Sequence, residues 1–94
     1  MTEHSERVLN DINRALTTTK RLESRARKLR NEKARLLAST ARSHLESARL
    51  YQRTAVGLWP SDPKHHKYTD RARGQFYLGQ SHLHHAKVTL KRGH

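Results

Sequence analysis

From Met1 to Val56 the chain contains neither glycine nor proline, and then "GLWPSDP" brings Gly57, Pro60 and Pro63 together within seven residues. The two residue types that interrupt helices most strongly are thus gathered at one place. Everything before that place is free to be helical, and the heptapeptide itself reads as a turn between helices.

The apolar spacing agrees. Val8, Ile12, Ala15, Thr19, Leu22, Ala26, Leu29, Lys33 and Leu36 follow one another at alternating steps of four and three, the seam of a coiled-coil-like helix. Beyond the turn, Thr69, Ala72, Phe76, Gly79, Leu83, Ala86 and Leu90 repeat the rhythm, and Asp62 before Pro63 supplies an N-cap and a first-turn proline. The pattern predicts an all-α fold of one domain, 1–94. Its form is a long antiparallel hairpin: a helix over about 3–57, a turn over 57–63 and a helix over about 63–92.

After Leu36 the apolar set moves to Leu37, Ala41, Leu45, Ala48, Tyr51 and Ala55, displaced around the helix as in a stutter. Ser43 followed by Glu46 forms a capping box, so three helices result if the first one breaks near 39–43. With no glycine or proline nearby, continuity is the expectation. A second helix of that length covers only residues 31–58 of the first and leaves 3–30 without a partner. Since only 33% of the residues are hydrophobic, the core is thin, and a homodimer is expected to cover the arm through Ile12, Leu16, Leu22 and Leu29.

Charge points to the partner. The chain carries a formal charge of +12, with 20 Lys and Arg against 8 Asp and Glu, and its pI is about 11.2. The segment "KRLESRARKLRNEKAR", 20–35, concentrates eight cations against Glu23 and Glu32. Like charges one turn apart repel by a few tenths of a kcal/mol per pair, so a helix with no anionic partner would mix its signs. Every seventh residue from Arg7 is basic: Arg7, Arg14, Arg21, Lys28, Arg35, Arg42 and Arg49. On one continuous helix these fall away from the seam and form a row about 63 Å long, which Lys20 and Arg27 widen. Arg outnumbers Lys along it, and the planar guanidinium suits phosphate.

These residues point to contact with a nucleic-acid backbone without base specificity, with a duplex favoured and RNA slightly ahead of DNA. No zinc-finger spacing, RNA-recognition signature or helix-turn-helix turn is present, and five aromatic residues are few for a base-stacking platform. In architecture and charge alone the chain resembles the long basic helical hairpins of some viral suppressors of RNA silencing. That resemblance implies a dimer lying along double-stranded RNA, though no motif matches residue by residue. The alternative function is a helical adaptor or assembly protein that docks an acidic protein through the same cations. A membrane partner is not expected, because the seam is narrow and includes Ala15, Thr19, Ala26 and Lys33.

Other chemistries find little footing. There is no cysteine. Among the eight histidines, His82 and His85 lie three apart and His65 and His66 open the second helix, yet no acid follows Asp70 to complete a ligand set, so neither a metal nor another cofactor is expected. Protonation of several imidazoles below about pH 6.5 would add to the positive field. No catalytic constellation or phosphate-binding glycine loop is recognisable, and the chain is not expected to be an enzyme. Trp59 is expected to plug the hairpin tip with Leu58 and Tyr68. The N-terminus shows no signal-peptide run, and the reading is of a soluble intracellular protein of the cytoplasm or of the nucleoid or nucleus.

Overall fold

The computed structural model describes residues 3–92, and among these the chain forms three helices and no strand: α1 (Glu3–Lys28), α2 (Glu32–Val56) and α3 (Pro63–Lys91). The glycine- and proline-free run is therefore two helices. The expected continuous helix over 3–57 ends at Lys28, well before the alternative break at 39–43.

The chain reverses on Leu29, Arg30 and Asn31. Arg30 takes a left-handed backbone conformation, φ 55°. The Asn31 amide donates to the Ala26 carbonyl at 2.9 Å and the Arg30 amide to the Arg27 carbonyl at 3.1 Å, the bond pair of a Schellman C-terminus. Glycine is the usual residue at that position, and an arginine there costs about 1–2 kcal/mol. Asn31 offsets part of this by capping α2, its side chain accepting the Ala34 amide at 3.1 Å. Arg25, Arg27 and Lys28 lie in the last turn of α1 and Glu32 in the first turn of α2, each sign on the favourable end of its helix dipole.

The second turn matches the sequence reading. α2 closes at Gly57, and Asp62 caps α3 by accepting the Lys64 amide at 2.9 Å, with Pro63 in the first turn. Trp59 does not plug this turn: it is 79% exposed. Tyr68 pairs instead with Tyr51, their ring centroids 6.2 Å apart.

α2 is the shared partner of the other two helices, which barely touch each other. Its buried positions, Ala34, Ala38, Ala41, Leu45, Ala48, Gln52 and Ala55, keep the four-and-three rhythm, but in a phase distinct from that of α1. What reads as a stutter in the sequence is thus the change of register across a chain reversal. Leu29, Lys33 and Leu36, which continue the α1 seam in the sequence, are exposed.

The core is small and rich in alanine. Ile12, Leu16, Leu45 and Leu83 fill it, and alanines let the helices approach closely. At Gly79 the packing leaves no room for a side chain: an added Cβ would lie 2.6 Å from Leu45 Cγ. Two polar groups inside find partners: Thr19 Oγ1 donates to the Ala15 carbonyl in its own helix at 2.7 Å, and Gln52 Nε2 donates to the Ser5 carbonyl at 3.0 Å, tying α1 to α2.

This packing removes the reason for the expected dimer seam. Ile12 and Leu16 are buried against α2 in the same chain, Leu22 is half-buried, and Leu29 points outward from the reversal at 58% exposure. Residues 3–30 have their partner in α2. The long dimerising hairpin implied by the viral resemblance is to that extent not reproduced.

Candidate nucleic-acid interface

The reversal at Leu29–Asn31 folds the heptad row in two. A straight row of about 63 Å would exceed the molecule, whose longest dimension is 48 Å. Arg7, Arg14, Arg21 and Lys28 lie along the exposed side of α1, over about 32 Å. Arg35, Arg42 and Arg49 lie on α2 and are only partly exposed.

Several of these cations are engaged within the chain. The carboxylate of Glu23, 5% exposed, is approached from both helices: Arg27 Nη2 donates to its Oε1 at 3.2 Å, and Arg42 Nε lies 3.4 Å from its Oε2. The second contact has ion-pairing distance but not hydrogen-bond geometry, which leaves Oε2 a buried acceptor without a hydrogen-bond partner. One acid thus ties together the end of α1 and the middle of α2. Arg35 holds Glu32 through two nitrogens, the Nε contact measuring 3.1 Å. The hydrogen bond from Arg35 holds the Glu32 carboxyl below its usual range, and the same bond raises Arg35. Arg14 stands 4.0 Å from Asp11 with 82% of its side chain exposed, a loose pair.

Four other cations gather at one place. Lys20, Arg21, Arg25 and Lys28 surround Ser24 on the outward side of α1 and line an open depression of about 420 Å³. Their spacing puts them on one face, and the small hydroxymethyl of Ser24 leaves the gap between the longer chains. All four are exposed, and none makes an ion pair among the described residues. On the neighbouring side, Lys20, Arg27 and Arg42 line a second depression that also includes Glu23. Exposed Arg30 stands at the reversal just beyond.

Of the cations at this place, the sequence reading named Arg21 and Lys28 in the heptad row and Lys20 beside it, and did not name Arg25 or Arg30, which stand outside the heptad phase. The signal for those two was the local density of cations in 20–35. Four cations around a small hydroxyl can bind an anion through charge-assisted hydrogen bonds, and no aromatic ring stands among them to stack on a base.

The histidines do not assemble further. His44 and His82 face each other across α2 and α3 with ring centroids 5.3 Å apart, and His44 Nδ1 is 2.7 Å from Gln75 Oε1. Among the described residues no three His, Asp or Glu side chains converge as a metal site, and no helix is long and apolar enough to cross a membrane. No family model, curated protein or solved structure matches the chain, so its function rests on the argument from its own residues.

Proposed function

We propose that the protein binds the phosphate backbone of a nucleic-acid duplex through the outward face of α1, without reading the bases. The observation that carries this reading is the ring of Lys20, Arg21, Arg25 and Lys28 around Ser24, exposed and without an acidic partner. Arg21 and Arg25, and Arg25 and Lys28, stand one turn apart and repel each other in the free protein. Phosphates relieve that repulsion and release condensed counterions as they bind. Arg30 extends the face beyond the reversal, and Arg14 extends it toward the N-terminus. Arg27, Arg35 and Arg42 serve first to hold the chain together, and their contribution to binding is the long-range field. A second copy of the chain is not required, since the α1 seam is covered by α2.

Binding of a labelled 20-base-pair duplex RNA, followed by fluorescence anisotropy across a salt series, tests the proposal, with duplex DNA as the second ligand. Contact with four to five phosphates gives a slope of log affinity on log salt near −4, at about 0.9 per phosphate. Arg25→Gln should lower the magnitude of that slope by about one unit, by nearly the same amount on unrelated sequences. The control is Lys64→Gln with Lys67→Gln, which removes two exposed charges at the start of α3, the end that lies beside the start of α1. If that pair weakens binding as much as Arg25→Gln, net charge alone is responsible and the α1 face has no special role.

A further inference from the structure

α1 and α3 both rest on α2 but hardly meet, and a groove runs between them. Two adjoining clefts of about 270 and 380 Å³ share Asp11 and Phe76 and extend the groove from His4 to Lys87. Val8 of α1 and Phe76 of α3 give it its open apolar surface, with Ala15 and Leu83 almost wholly buried beneath it. Val8 and Phe76 pack on the core yet keep part of their surface open to the groove. Val8 and Ala15, like Phe76 and Leu83, are seven residues apart, so the two walls share a period of about 10.5 Å, that of the seam of a helix laid along the groove.

The rim is positive. Arg14, Arg73 and Lys87 are exposed along the two walls, and Asp11, the one acid among the described residues that lines the groove, already faces Arg14 at 4.0 Å. From His4 to Thr18 the α1 wall is about 21 Å long, room for roughly four turns of helix. None of the residues that ring Ser24 lines this groove, and the two surfaces meet only at Arg14.

We infer that the α1–α3 groove docks an amphipathic helix of another protein, one whose apolar stripe is flanked by Asp and Glu. Charge complementarity selects this occupant. A nucleic-acid duplex offers no apolar stripe to cover Val8 and Phe76. A second copy would bring its own net charge of +12 to a positive rim. An acidic amphipathic helix satisfies both floor and walls, as a helix-in-groove contact.

The test uses a dye-labelled 18-residue peptide with leucine at its heptad seam positions and glutamate beside them, titrated with the intact protein and followed by anisotropy. Saturable binding below about 100 µM is expected, with NMR shifts centred on Val8, Ala15, Phe76 and Leu83. A scrambled peptide of the same composition, and a version with lysine in place of glutamate, should each bind at least tenfold more weakly. Phe76→Ala should weaken binding tenfold; because it thins the core, exposed Arg73→Glu is the second variant, and it should weaken the acidic peptide while improving the lysine version. Equal binding of the scrambled peptide would reduce the groove to a charge effect and overturn the inference. So would absence of binding at 1 mM, displacement of the peptide by duplex RNA, or self-association of the protein that Phe76→Ala abolishes.

Discussion

Two glycines in α3 separate the cost of a steric clash from the gain in helix propensity. Gly74 and Gly79 both lie in the helix interior, and alanine in place of glycine there stabilises by up to about 1 kcal/mol when the added methyl meets nothing. At Gly74 no heavy atom of the surroundings lies within 4 Å of the new Cβ. At Gly79 the new Cβ meets Leu45 Cγ at 2.6 Å, Leu45 Cδ2 at 2.7 Å and the Ala41 carbonyl oxygen at 3.4 Å. Leu45 is fully buried and cannot swing aside, so α2 and α3 must move apart at an overpacking cost of about 1–3 kcal/mol. The propensity gain is common to both variants and cancels in their difference. Gly74→Ala should therefore melt above Gly79→Ala by at least about 4 °C for a domain of this size, with melting followed by far-ultraviolet circular dichroism. Leu45→Ala combined with Gly79→Ala should restore part of the loss, a coupling that a double-mutant cycle reads directly. Equal melting temperatures for the two alanine variants, or additive effects in the cycle, would refute the close approach of α2 and α3 at this point.

Glu23→Gln should destabilise the fold by about 1–2 kcal/mol in urea denaturation: it leaves Arg27 and Arg42 without their shared carboxylate, a loss softened because both arginines reach water. At Glu32 the folded carboxyl sits below its ordinary value of 4.5, so what it adds to stability is complete above that value and is lost as pH falls through the lower folded one. The Arg35 Nε chemical shift, followed by NMR, should accordingly show a step with a midpoint below pH 4.5 in the native chain and no such step in Glu32→Gln.

The elements legible in the sequence were those whose chemistry is local. Asp62, Pro63 and the Gly57–Pro60 cluster announced the second turn, because capping and ring closure act through neighbouring backbone atoms alone. The first turn was hidden because Arg30 occupies a left-handed position that glycine usually takes, and the chain reverses there without the expected marker. Two weaker signals were present: Asn31 followed by Glu32, and the change of apolar phase after Leu36. The second is a tertiary signal, and a stutter in one helix and a reversal between two produce the same pattern in one dimension. The cations show the same limit. Their heptad phase is real along the sequence, but Arg35 and Arg42 were assigned to phosphate before Glu32 and Glu23 could be seen to hold them. Trp59 was placed inside by its size, whereas Tyr51 and Tyr68 provide the packing near that turn.

The position of α2 between two helices that scarcely meet has a consequence for how the molecule opens. α1 and α3 are coupled only through their common neighbour, so either can detach while the other stays docked, and the free energies of the two openings need not be equal. α2 and α3 meet tightly where Leu45 packs on Gly79, whereas α1 is tied to α2 by Ile12 and Leu16 together with the Gln52 and Glu23 contacts. α1 also bears the mutual repulsion of its outward cations. If a polyanion binds that outer face, as proposed, it relieves this repulsion and so also favours the docked state of α1, and binding and tightening of the fold become one event.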